Sequence, residues 1–438
     1  MQLFDRRSTL LFLIVFVPLL FLPKFNLISF SEQTAGIRLD DILLFLMSIL
    51  LVWAFGLLRT NMLKIEILMV AITLTGCLSY LINQFLNAFE WIDLKAHPLY
   101  AIRLFEYFIF FYIGIFAYRH LKMGFLIGSL ILWIFMIMTL QHAGVLGAMT
   151  SSGYQHGYDR IFGIAAFPSE MGMILNLLFT YVIFSFADVK HQWSLVATIN
   201  YLSGLFITFI IFLYFTLLTG NRISLLALTL CFVGRIAASW HSFHLYLKKI
   251  LLIFSALIIG FALYFIATSE QFQNRSSALF SWKNVSGVQE AWQNIDLERS
   301  PIGQEQKTIT EYDASWWMRV YKWVYVSKIY LNHPECYLLG IGPGTCFTAL
   351  DGGLLRITVE LGIVGFLLYA TFFWHLAQID IRLKWMLIVF VCNMLTFDVY
   401  LAYKPMSLIF FVGGYLYSRK GYFTEKPTIL SKNAQLST

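Results

Sequence analysis

Residues 340–365 read GIGPGTCFTALDGGLLRITVELGIVG, and the character of the chain changes halfway through them. The first half, Gly340-Ile341-Gly342-Pro343-Gly344, cannot hold a helix. Its glycines reach backbone angles other residues avoid, and Pro343 has no amide donor. From Leu354 onward the residues begin a long apolar run that can span a bilayer. Asp351, Gly352 and Gly353 lie between the halves, at the mouth of that helix. A glycine-rich loop thus delivers an acid to a membrane surface, and the candidate site is placed there.

The same character extends over the whole chain. Of 438 residues, 59% are hydrophobic and 13% charged, and the mean hydropathy is +0.72. Soluble domains carry about a quarter charged residues. The expected fold class is therefore an all-α polytopic membrane protein. Residues 1 to 23 lack a small-residue cleavage site and read as a first span rather than a cleaved signal. About twelve apolar segments fit a bilayer: 8–23, 42–58, 65–83, 98–118, 123–142, 170–187, 195–218, 222–237, 248–267, 354–376, 384–402 and 405–417. The organisation that follows is a nine-helix region (1–267), one large loop (268–353), a three-helix region (354–417) and a tail (418–438).

The net charge of +7 does not indicate nucleic acid, because its excess falls in alternate short connections. Arg6, Arg7, Arg59, Lys64, Arg119, Lys122, Lys190, Arg235, Lys248, Lys249, Arg382, Lys384 and the tail basics share one side. The other side carries single cations: Lys24, Arg38, Lys95, Arg160, Arg222 and Lys404. The positive-inside rule puts both termini in the cytoplasm and 268–353 outside. Five cysteines show no metal spacing. Cys77, Cys231 and Cys392 sit in apolar spans as packing residues. Cys336 and Cys346 share the large loop, where an oxidising compartment would let them pair.

Several charged residues admit two readings. Asp40 and Asp41, after Arg38, suit a helix start facing the positive end of the dipole; a catalytic acid pair is the sharper alternative. Arg222 opens the eighth span at the unfavourable end of that dipole. Either an anion lies between it and the free amides, or it snorkels to lipid headgroups. Residues 314–331, ASWWMRVYKWVYVSKIYL, read as an amphipathic helix in the outer interface. Arg319 on it meets either a headgroup or a phosphate. Arg356 and Glu360, four apart, can pair on one helix face.

In order along the chain, Leu218-Thr219-Gly220-Asn221-Arg222, Arg319 with Trp323, Gly340 to Gly344, and Val359-Glu360-Leu361-Gly362-Ile363-Val364-Gly365 resemble the O-antigen polymerase and O-antigen ligase superfamily of bacterial inner-membrane proteins. Weaker matches are Ile37 to Asp41 and Arg160 to Gly163. The resemblance implies glycosyl transfer at the outer face of the inner membrane. The donor and acceptor would be oligosaccharides on undecaprenyl pyrophosphate, with a chain-length regulator and a flippase as further partners. The superfamily's diphosphate-holding arginines map to Arg222 and Arg319; Arg160, Arg356 and Arg38 are further candidates for substrate contact. The ligase histidine falls at Asp351 here, which favours the polymerase branch.

A carboxylate at 351 suits a general base for a sugar hydroxyl, and fixed arginines suit a diphosphate leaving group. The outer loop has no Asp-x-Asp motif, so no metal or other cofactor is expected. Three alternatives stand beside this reading. A ligase would join polymer to lipid A core. A polyprenyl-phosphate-sugar glycosyltransferase would use Asp40 and Asp41. A lipid-linked oligosaccharide flippase would show two similar halves and need no large outer loop.

Overall fold

The computed structural model describes residues 64–86, 97–147, 160–186, 195–239, 282–297, 314–346 and 349–421, with short pieces at 19, 26–29, 36–38, 42–46, 256 and 260. Nearly all of the expected first, second and ninth spans, Asp40, Asp41, most of 269–310 and the tail beyond 421 lie outside the described residues.

The described helices are α1 (Lys64–Leu86), α2 (His97–His120), α3 (Met123–His142), α4 (Pro168–Ser185), α5 (Leu195–Leu218), α6 (Arg222–Ser239), α7 (Trp282–Asn294), α8 (Ala314–Asn332), α9 (Gly353–Ala377), α10 (Ile381–Met394) and α11 (Tyr403–Arg419). Two short strands, β1 (Asn26–Ser29) and β2 (Gly36–Arg38), pair antiparallel. The expected spans 123–142 and 195–218 coincide with α3 and α5. Helices α1, α2, α3, α5, α6 and α9 are long and apolar enough to cross a membrane.

Burial follows lipid rather than water. Side chains of α4 from Met171 to Tyr181, and of α11 from Tyr403 to Gly414, are buried without interruption. The longer helices around them turn apolar side chains outward: Phe125 is 76% exposed and Leu132 71%. Val196, Leu226, Leu367 and Trp374 are likewise open. A surface this apolar would drive association in water. In a bilayer it is the lipid contact, so the chain is a helical membrane protein.

Contact between α2 and α11 depends on small residues, as helix pairs in lipid require. A Cβ on Gly414 would lie 1.8 Å from the carbonyl oxygen of Phe111, and one on Gly114 2.1 Å from that of Phe411. The rings of Phe108, Phe372 and Phe410 pack beside this crossing.

Basic residues gather at one end of the bundle. Arg235 donates to the carbonyl of Phe186 (3.2 Å) and faces the rings of Phe184 and Tyr201. Arg382 lies 5.6 Å over the ring of Tyr181, with Arg419 and Lys420 close enough to act on Tyr181 and Asp380.

The expected span 354–376 coincides with α9, which breaks once inside, at Gly362, whose φ is 68° and ψ −172°. One expected span is corrected. The segment 384–402 stops as an α-helix at Met394, and a 3-10 turn at Val399–Leu401 follows before α11. The first interruption frees backbone groups that the loop before α9 uses, and the second presents the Asp398 carboxylate to that loop.

Candidate functional site

The break in α9 is closed by the glycine-rich segment. A helix interrupted at Gly362 strands carbonyls before the break and amides after it. Ile341 N donates to the carbonyl of Val359 (2.8 Å) and Gly342 N to that of Glu360 (3.1 Å). In return, Ile363 N and Val364 N donate to the carbonyls of Tyr337 (2.9 Å) and Leu338 (3.1 Å). The crossing tolerates no side chain. A Cβ on Gly340 would lie 2.3 Å from the carbonyl carbon of Glu360, and one on Gly362 2.3 Å from the carbonyl oxygen of Leu338. Both residues also have positive φ, which glycine adopts without penalty.

Above this junction, α8 and the loop share a small core of their own. Trp317, Val320, Val324 and Tyr325 of α8 pack with Ala291 and Ile295 of the α7 region and with Cys336, Ile341, Cys346 and Leu350. The expected helix 314–331 is therefore present, but its apolar face is covered largely by protein. Trp323 donates through Nε1 to the carbonyl of Leu350 (3.0 Å), and Lys322 through Nζ to that of Ala349 (3.0 Å). These bonds tie α8 to the turn that carries Asp351.

Asp351 adopts φ 59°, a left-handed conformation that aspartate tolerates better than most residues. Its Oδ2 accepts from Arg319 Nε at 3.1 Å, with the side chains 29% and 28% exposed. A half-exposed pair contributes only about 0–1 kcal/mol, so its consequence is positional: one acid and one fork of donors face the same opening. The Arg319 guanidinium also lies 5.7 Å over the ring of Phe397. Asp351 does not cap α9; the N-cap is Gly352, which has no side-chain hydrogen bond to offer.

Arg356 is placed differently from the expectation. It has no exposed side-chain surface and lies between two carboxylates, Glu360 Oε1 (2.9 Å) and Asp398 Oδ2 (2.8 Å), 5.4 Å over the ring of Tyr100. The expected Arg356–Glu360 pair is thus present, while the partner of Asp351 is Arg319. Glu360 Oε1 also accepts from Cys346 N (3.1 Å), so the buried ions stitch the loop to α9. Removing one member of such a cluster typically costs 3–5 kcal/mol. Cys336 and Cys346 are both buried and are not joined to each other. Burial pushes Cys336 up to about 11, and burial together with Glu360 holds Cys346 well above its ordinary value. Neither is a ready nucleophile.

A second group of cations lies on the turn between α5 and α6. Ile161 N donates to the carbonyl of Leu218 (3.1 Å), laying the segment before α4 across this turn. Arg160 packs on Gly220, where a Cβ would lie 3.3 Å from its Nε. Arg222, the first residue of α6, is two positions on and half-buried. Ser224 in that first turn donates to Asn393 Oδ1 near the end of α10 (3.1 Å), and Phe397, under Arg319, follows shortly after. Arg160, Arg222, Arg319 and Asp351 therefore belong to one end of the bundle, opposite the basic end. Arg38 stands in β2, paired with Asn26.

Asp398 was not among the residues singled out by motif. Its signal was nonetheless present: a lone acid in the apolar run 384–402, where an ionisable side chain needs a specific partner. Among the described residues no cluster of His, Cys, Asp and Glu has metal-binding geometry.

Fold and site together define a helical membrane protein that carries a charged, backbone-clasped loop at the end opposite Arg235, Arg382, Arg419 and Lys420. No protein-family model matches the chain, and no curated protein matches it.

Proposed function

We propose that the protein is a glycosyltransferase that polymerises undecaprenyl-pyrophosphate-linked oligosaccharide repeat units into O-antigen or a related surface polysaccharide. In this reading the chain crosses the bacterial inner membrane about twelve times, with both termini cytoplasmic and 268–353 outside. The observation that carries it is the Asp351–Arg319 pair, half-exposed on a turn that the broken helix, α8 and Asp398 hold in place.

The chemistry has two demands. An acceptor sugar hydroxyl attacks the anomeric carbon of the donor; the new glycosidic bond forms as the bond to the diphosphate oxygen breaks. The hydroxyl proton passes to the Asp351 carboxylate, and the bonding electrons leave with undecaprenyl diphosphate. Arg319 engages Asp351 through Nε and can turn its two Nη groups to the diphosphate, a geometry lysine cannot offer. Arg222, with Arg160 beside the same turn, supplies further positive charge to the diphosphates. Arg356 serves as an internal counterion.

The test is the glycan ladder from cells lacking the gene and complemented with variants. Asp351→Asn keeps the size and the tolerance for left-handed backbone but cannot take a proton. Loss of a general base slows transfer by about a hundred- to ten-thousand-fold, so single repeat units should remain and long chains vanish. A full ladder removes Asp351 from the chemistry; loss of all surface glycan, single units included, favours the ligase reading.

A further inference from the structure

Asp398 lies on the connection between α10 and α11, far in sequence from the turn it touches. Its Oδ2 accepts from Leu350 N (2.7 Å) and from Arg356 Nη1 (2.8 Å), and its Oδ1 accepts from Gly352 N (3.0 Å). The two amides are those on either side of Asp351. Gly352 N lies in the peptide plane that follows Asp351, the carbonyl of Leu350 in the plane before it is held by Trp323 Nε1, and Leu350 N anchors one plane further back, so the three bonds bracket the backbone at 351, where φ is 59°. A residue with a Cβ resists that conformation unless its surroundings impose it. Arg356 in turn fixes Asp398, since Glu360 and the ring of Tyr100 hold the guanidinium from its other sides.

We infer that Asp398 is the positioning residue of the transfer site: by accepting the amides of Leu350 and Gly352, it holds Asp351 in the left-handed turn that aims its carboxylate at Arg319. The inference rests on the reading of Asp351 as the base. A carboxylate serving only as counterion to Arg356 would need one oxygen and no amides. One that merely complemented the α9 N-terminus would affect stability and leave turnover per folded molecule alone.

The experiment uses the full chain in lipid nanodiscs, fed the host's own polyprenyl-pyrophosphate-linked repeat units. Asp398→Asn preserves shape and leaves Arg356 paired with Glu360, but it removes one charge of the buried cluster and lowers stability, so turnover is counted on the folded, inserted fraction only. A misplacement of about 1 Å costs on the order of a hundredfold in rate. Accordingly kcat per folded molecule should fall about 10- to 100-fold, with KM within about threefold and faster amide exchange across residues 349–353. Asp398→Glu, which keeps the charge and both acceptor oxygens, should retain more of kcat than Asp398→Asn. An unchanged kcat, or exchange at 349–353 as slow as in the parent, overturns the positioning role. If the parent protein itself joins no units, the transfer reading falls and takes the positioning role with it.

Discussion

At Gly362 the backbone turns out of the helix with φ 68°, and the Cβ of any other residue would meet the carbonyl oxygen of Leu338 at 2.3 Å. Two penalties coincide there. Positive φ with extended ψ is open essentially to glycine alone and costs another residue about 1–3 kcal/mol, and the contact would have to push apart two segments joined by four backbone hydrogen bonds. Gly362→Ala should therefore lower the unfolding temperature and the yield of inserted protein, while Gly204→Ala, at a position where a Cβ meets nothing, should not. Equal melting curves for the two variants would show that the clasp does not hold the loop. Gly340 and Gly362 were legible in the sequence as places where helix ends. That they face each other was not, because a glycine's neighbours across space leave no mark on its own position in the chain.

At the scale of elements, α10 shows how a short helix is anchored at the basic end. Asp380 accepts from Arg382 N (3.0 Å) as an N-cap and from Arg382 Nε (2.8 Å) as an ion pair. Burial pulls the Asp380 carboxyl up, but the side-chain and backbone hydrogen bonds of Arg382, with its charge, outweigh that and leave it below its ordinary value. A depressed carboxyl stabilises the folded state above its unfolded value of about 4, and that stability is lost as pH falls through the folded value. Asp380→Ala should cost about 1 kcal/mol at neutral pH, and the gap between variant and parent should shrink below about pH 4. Thermal unfolding of both proteins in one detergent, followed from neutral pH down through about pH 4, checks it; a gap that does not change with pH would remove the carboxylate from the effect. Helix extents such as α3 and α5 were readable from hydropathy alone. The early end of α10 was not, since one acid at 398 in otherwise apolar surroundings reads the same whether the helix continues with that acid paired or unwinds to present it.

For the whole molecule, the separation of charge makes a topological prediction. Arg235, Arg382, Arg419 and Lys420 share one end, and the Asp351 turn lies at the other. By the positive-inside rule the end that holds these four residues is expected to be cytoplasmic. A reporter active only outside the cytoplasm should work when fused within residues 276–310 and stay silent when fused after Gly421. Activity at the C-terminus would reverse the orientation and place Asp351 on the cytoplasmic face.

By itself the sequence determined that the chain is a helical membrane protein, where many of its helices run, and that a glycine-rich loop precedes α9. Each of these depends on neighbours along the chain: hydropathy, periodicity and backbone preference act over a few residues. Only the tertiary structure decided which charges meet. Arg319 and Asp351 are brought together from α8 and the loop, Arg356 is turned inward, and Asp398 reaches back from beyond α10. The break at Gly362 leaves backbone groups that the segment from Tyr337 to Gly342 satisfies, and the unwound end of α10 brings the Asp398 carboxylate to Leu350, Gly352 and Arg356. These partners are distant in sequence, so the assembly of the site is a property of the folded chain.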